Sequence, residues 1–265
     1  MITRNHGHEV NYERSIVQFS HANGFPAKTY EYLFDQIPEA DFRYLNRIGH
    51  GQIPFEQDFN NLATELIVTV AEYGRPVIGM GHSLGGVITI LAAARRPDLF
   101  EQVILLDPPF FSGWKRLIIK GIQYLGYGDK LGPTEKALVR RTHFASREDA
   151  LAYWSGKRFF QQFHPKTFRS YVEHGLTYTD EGLELAISRE FEVSVFRTIQ
   201  TEKPSGFKQL KGALLFGDHS DLFWKSDARW WRKAAPEMQL IGIPGGHLFP
   251  LEQPDETVKI LRELL

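Results

Sequence analysis

Gly79-Met-Gly-His-Ser-Leu-Gly-Gly86 is the stretch on which the reading of this chain turns. Before it stands a short apolar run, Pro76-Val-Ile-Gly-Met80, and after it an almost wholly apolar stretch from Leu84 to Arg96. The first has the length and composition of a buried strand, and the second is a helix ended by Arg95-Arg96-Pro97. A Gly-x-Ser-x-Gly pattern between strand and helix is the setting of a nucleophile elbow. A strand that turns directly into a helix forces its central residue into a strained conformation, where side chains two positions away would collide. Gly81 and Gly85 remove those side chains. Ser83 then presents its hydroxyl at a helix N-terminus, where amides and the helix dipole favour developing negative charge.

Working outward, further strands are expected at Ser15–Phe19, Gln102–Leu106, Gly212–Phe216 and Met238–Ile243, with a weaker one at Asp41–Leu45. Phe55, Phe59, Leu62, Leu66 and Val70 recur at helical spacing over Phe55–Tyr73, and a closing helix runs from Pro250 or Glu252 to Leu265. Continuous apolar strands alternating with helices imply a doubly wound α/β fold with a mostly parallel sheet. The alternation breaks between residues 108 and 203. There helices are expected at Trp114–Leu125, Thr134–Arg141, Ser146–Trp154, Pro165–His174 and Asp180–Ser188, with no strand among them. Residues 1–107 and 204–265 therefore form the expected core, and 108–203 an all-helical insertion over the strands' C-terminal edge, where such folds bind ligands. The insertion holds 16 of the 35 aromatic residues, Phe110, Phe111, Trp114, Trp154, Phe159 and Phe160 among them. That density serves either a helical core or an apolar lining for an acyl or aromatic group.

The chain has 265 residues, 31 Lys+Arg against 32 Asp+Glu, and no cysteine. Near-zero net charge excludes nucleic-acid binding by bulk charge. Absent cysteine excludes disulfides, thiolate metal sites and a cysteine nucleophile. The polar stretch Met1–Ser15 carries no signal-peptide core, and no run approaches the roughly 18–20 apolar residues of a bilayer span. A cytoplasmic protein is expected. Charge is uneven within the insertion: residues 110–170 hold 12 basic and 4 acidic side chains, which reads as solvated helix faces.

A serine hydroxyl needs a base. Of ten histidines, His247 in Ile243-Pro-Gly-Gly-His-Leu-Phe-Pro250 is the candidate, placed between the last strand and the last helix. His21 and His50 lie in loops after strands, and His82 lies inside the elbow. His143, His164, His174 and His219 read as surface or capping residues. No pattern of metal ligands occurs, so neither metal nor cofactor is expected. The oxyanion needs backbone donors, and the Leu84 amide and the Phe25 amide in Ser20-His-Ala-Asn-Gly-Phe-Pro-Ala27 are the candidates. The acid that orients the imidazole is open among Asp107, Asp221 and Asp218. Asp107 ends the strand after the nucleophile helix. It would otherwise serve as a turn former before Pro108-Pro109, and Asp221 as the cap of a following helix.

These motifs in this order, Asn23-Gly24-Phe25-Pro26, Gly49-His50-Gly51, the elbow, and Gly246-His247 followed by Glu252-Gln253-Pro254, resemble the α/β-hydrolase fold family from about Ser15 to Leu265. The resemblance implies that 108–203 is a helical cap domain. Serine at position 83 makes the chain similar to the esterase and lipase-like members. Two departures stand out: Asn23 replaces a usual histidine, and the frequent Gly-x-x-Asp reads Gly217-Asp-His-Ser220, with Asp221 one place late. The expected activity is hydrolysis of a carboxylic ester or related acyl compound with an apolar acyl or aromatic group, through an acyl-enzyme on Ser83. The same groups could cleave an amide, a thioester or a β-diketone carbon–carbon bond. A non-catalytic ligand receptor on this scaffold is the rival from another class.

Overall fold

The computed structural model describes residues 14–265 except 52, 54, 112, 126, 128–131, 181 and 201. The N-terminal stretch read above therefore lies, up to residue 13, outside the described residues. Each expected core strand forms: β1 (Ile16–Ser20), β2 (Asp41–Tyr44), β3 (Val77–His82) and β4 (Phe100–Leu106). They are joined by the short α1 (Glu31–Asp35), by α2 (Phe59–Ala71) and by α3 (Leu84–Arg95). Asp58 stops α2 four residues short of the expected Phe55, because its carboxylate accepts the Asn60 N–H at 2.8 Å and caps the helix.

Between β4 and the next core strand lie α4 (Gly113–Tyr124), α5 (Gly132–Leu138), β5 (His143–Phe144), α6 (Arg147–Ser155), α7 (Pro165–His174), β6 (Leu176–Thr179), β7 (Gly182–Leu185) and α8 (Arg189–Arg197). The core resumes with β8 (Lys211–Gly217), α9 (Lys225–Ala234), β9 (Glu237–Ile243), α10 (Phe249–Glu252) and α11 (Pro254–Leu264). The core sheet has the order β2-β1-β3-β4-β8-β9 and all its pairings are parallel. Strand order reverses at β1 and β3, so the crevice beyond their C-terminal ends is the ligand position of a doubly wound sheet.

The insertion corrects the all-helical expectation. Strands β6 and β7 pair antiparallel, and β5 adds to β7 as a third strand. The helix expected over Asp180–Ser188 is a strand because Leu183 and Leu185 alternate inward with exposed-side neighbours, a period of two. Ser188 instead caps α8 through the Phe191 N–H. The Ser146 cap does form, with Asp149 N–H donating to its hydroxyl at 3.2 Å. Among the described residues the insertion shares its core with the sheet: Trp154, Phe160, Tyr171 and Leu183 join one buried cluster with Phe19, Phe25 and Tyr30. Trp154 and Phe160 are thus core, whereas Trp114 and Phe159 are about half exposed. Helix α4 is turned inside out. Lys115 is buried against Asp227 at 2.6 Å, while Trp114, Leu117, Ile118 and Tyr124 face solvent.

Candidate active site

At the end of β3 the backbone turns at Ser83 with φ 53° and ψ −116°, a conformation costly for any side chain. The turn is possible because a Cβ at Gly81 would overlap the Gly85 carbonyl, and one at Gly85 would overlap the Ser20 carbonyl. The strain is held by neighbouring strands: Ser83 N–H donates to Leu106 O at 2.9 Å, and Gly85 N–H to His21 O at 3.1 Å. Leu84 lies between them with its side chain buried, at the first position of α3.

His247 follows β9 on the loop that the sequence singled out. Its Nε2 is 2.9 Å from Ser83 Oγ, and its Nδ1 is 2.7 Å from Asp107 Oδ2. A carboxylate only accepts, so Nδ1 carries the proton and Nε2 is free to accept the serine proton. Asp107 is 1% exposed at the C-terminal end of β4, in the left-handed region at φ 44°. Its N–H is fixed by Leu215 O at 2.8 Å. The structure thus brings Asp107 to the imidazole. Asp218 and Asp221 are exposed, and the backbone carbonyl of Asp221 accepts the Trp224 indole N–H at 3.0 Å.

The other histidines divide as their surroundings dictate. His82 is fully buried: its Nε2 faces the His247 carbonyl at 3.0 Å and its Nδ1 the Tyr30 hydroxyl at 2.6 Å. Because a carbonyl only accepts, Nε2 donates, and Nδ1 takes the Tyr30 proton. Burial, reinforced by His247 nearby, lowers the His82 pKa to about 3, and the ring stays neutral. Burial likewise raises that of Tyr30. His21 accepts the Ile48 N–H at 2.8 Å through Nε2 and donates from Nδ1 to Ala22 O at 2.9 Å. Burial lowers its pKa to about 4. It ties the loop after β1 to the loop after β2. His50 packs against Phe191, with ring centroids 4.6 Å apart. His164 caps α7, while His143 and His174 pair with Glu184 and Glu31 at the surface.

The loop after β1 places Phe25 beneath the insertion, with Phe163 and Tyr171 rings 5.9 and 5.3 Å away and Phe159 at 6.3 Å. The Phe25 N–H donates to Ala22 O at 3.1 Å, closing a turn. Asn23 donates to Glu192 O at 3.0 Å, and at Gly24 a Cβ would run into the Glu192 carboxylate. Glu192 is itself paired with Arg140 at 2.7 Å. Burial opposes the Arg140 charge, but Tyr171 and Glu192 outweigh it and raise its pKa.

Three supporting residues escaped the sequence reading. Tyr30 carried no signal. Glu252, noted only as part of a motif, accepts the Gly246 N–H at 3.1 Å and braces the His247 loop. Ser220, noted only as the residue standing where an aspartate is usual, donates to Asp107 Oδ2 at 2.5 Å. Among the described residues no group of three or more His, Cys, Asp or Glu side chains could hold a metal ion, and no helix is long and apolar enough to cross a membrane.

Comparison with known proteins fits this geometry. A monoglyceride lipase homolog of Monkeypox virus is 32% identical over 110 residues, covering 37% of this chain and 40% of that protein. A type I acyl-CoA thioesterase, mpaH of Penicillium brevicompactum, is 27% identical over 175 residues, 58% of this chain and 38% of that protein. These matches span less than half the length of either relative. Among solved structures, E-2-(acetamidomethylene)succinate hydrolase superposes with a TM-score of 0.74 at 18% identity, covering 95% of this chain and 91% of that one. A marine microorganism esterase does so at 0.65 and 16% identity, covering 96% of each chain. At such identities the likeness concerns the fold alone. The model of the alpha/beta hydrolase family matches residues 19–260, nearly the whole chain. With its parallel sheet and strained strand-to-helix turn, the chain belongs to the alpha/beta hydrolase family.

Proposed function

We propose that this protein is a serine hydrolase, cleaving a carboxylic ester or related acyl compound through an acyl-enzyme on Ser83. The observation that carries the reading is the unbroken hydrogen-bond chain from Ser83 through His247 to Asp107, at 2.9 and 2.7 Å. In this reading Ser83 Oγ attacks the acyl carbonyl as His247 Nε2 takes its proton. The imidazolium, stabilised by Asp107, then protonates the leaving alcohol. Water repeats the sequence in reverse to free the acid and restore Ser83. The Leu84 amide is one oxyanion donor. The Phe25 amide is the second, and it exchanges its turn bond to Ala22 for the developing oxyanion. Residues 108–203 act as a cap, and Phe25, Phe159 and Phe163 favour an apolar acyl or aromatic group.

A second reading, thioester cleavage by the same groups, is favoured by the similarity to an acyl-CoA thioesterase. The test is hydrolysis of p-nitrophenyl esters from acetate to palmitate and of acyl-CoA thioesters, with Ser83→Ala alongside and Ser83 labelled by a fluorophosphonate. Turnover lost in the variant supports the proposal. A fast label without turnover of any of these substrates would redirect it to an amide or a carbon–carbon bond. Failure of both turnover and labelling would replace it with the receptor reading.

A further inference from the structure

The loop after β8 carries a side chain that the mechanism above leaves unused. Ser220 is 7% exposed, and its Oγ lies 2.5 Å from Asp107 Oδ2. The Leu222 N–H donates to the same Oγ at 3.2 Å. An ionised carboxylate cannot donate, so the Ser220 proton points at Asp107 while the Leu222 amide fills a lone pair. Oδ2 is also the oxygen that meets His247 Nδ1, and Oδ1 is buried without a partner among the described residues. Both side-chain bonds to this carboxylate, from His247 and from Ser220, therefore fall on the same oxygen, Oδ2.

Making a turn accounts for only part of this. A serine that merely closes the turn needs its lone pair for Leu222, and its proton can point anywhere. Here the loop is fixed so that the proton has one target. Ser220 N–H donates to Gly217 O at 2.9 Å and His219 N–H to Gly245 O at 3.0 Å, while Lys115 Nζ donates to Leu222 O at 3.3 Å. Backbone bonds thus aim the hydroxyl from the β8 and β9 loops at an acid carried on β4.

We propose that Ser220 is a positioning residue. Its hydroxyl holds the Asp107 carboxylate in the rotamer that meets His247 Nδ1, and it stabilises the carboxylate charge while the imidazolium forms. The proposal rests on the triad reading. It explains how the acid works from β4 while the strand end that often carries it in similar proteins holds a serine. That residue keeps contact with the site as a donor to the relocated carboxylate.

The experiment is a double-mutant cycle with the full chain, reading kcat and KM on p-nitrophenyl butyrate and the rate of Ser83 labelling by a fluorophosphonate. Ser220→Ala is expected to lower kcat and the labelling rate about tenfold, the scale of one hydrogen bond to a charged group, with KM unchanged within about twofold. Asp107→Asn is expected to lose about a thousandfold or more. Adding Ser220→Ala to Asp107→Asn should then cost less than about twofold. As a second pair of equal shape, Ser220→Thr should keep the wild-type rate and Ser220→Val should behave as Ser220→Ala. Ser220→Ala at the wild-type rate, or costing tenfold again in the Asp107→Asn background, overturns the positioning role while leaving the triad intact. Wild-type rates in Asp107→Asn would overturn the triad reading and this inference with it.

Discussion

Acidification tests the buried imidazoles of His21 and His82. Both are fully buried and neutral, with pKa values lowered to about 4 and about 3 from an ordinary 6.5. The unfolded chain takes up their protons near pH 6.5 and the folded chain does not. Their contribution is therefore complete above about pH 6.5 and is lost as pH falls toward the folded values. At pH 5 the unfolded state lies 1.5 pH units below its own pKa, so each ring costs about 2 kcal/mol, and the two together about 4 kcal/mol. That is a large share of a typical 5–15 kcal/mol stability. Glu65, whose pKa burial raises, works in the opposite sense, so the wild-type curve alone does not isolate the histidines. The assay is urea denaturation from pH 5 to 8 of the wild type, His21→Gln and His82→Gln. Each variant starts less stable at pH 7.5, having lost one of two hydrogen bonds. Each should nevertheless lose about 2 kcal/mol less than the wild type between pH 7.5 and 5. A variant whose stability falls as steeply as that of the wild type would refute the neutral, buried state of that ring.

Six further variants have expected outcomes. His247→Ala should reduce ester turnover at least a thousandfold while the chain stays folded, and Asp218→Asn and Asp221→Asn should stay within about twofold of the wild type because both carboxylates are exposed. Gly85→Ala, with its new methyl driven into the Ser20 carbonyl, should cost about 3 kcal/mol or more. Gly121→Ala, in open space within α4, should gain about 0.5–1 kcal/mol; both are measured by urea denaturation. Lys115→Met should lower stability by the same measurement, because Asp227, 2% exposed, loses the ammonium at 2.6 Å and Trp224 the one 3.6 Å above its ring.

The core was legible because its signals are local. Apolar runs such as Val77–Met80 are continuous where a strand is covered on both faces, and a Gly-x-Ser-x-Gly turn advertises a steric requirement that only glycine meets. The insertion was harder to read. Over so short a run Leu183, Ala186 and Ile187 fit a helical spacing while Leu183 and Leu185 fit an alternating one, and pairing with β5 and β6 settled it. Helix α4 misleads in a different way, since its apolar stripe faces solvent and its lysine is buried.

By itself the sequence determined the doubly wound sheet and pointed to Ser83 and His247, because these depend on periodicity and on residues adjacent in the chain. It left the acid open, since Asp107 ends one plausible strand and Asp221 lies in the loop after another. Only the tertiary structure decided which carboxylate meets the imidazole, by setting β4 beside β3 and bringing residues 140 positions apart to 2.7 Å. The same packing turned Ser220 toward Asp107 and buried His82 against the carbonyl of His247. Such contacts join separate strand ends, and their chemistry is set by register and burial, which no local stretch of sequence encodes.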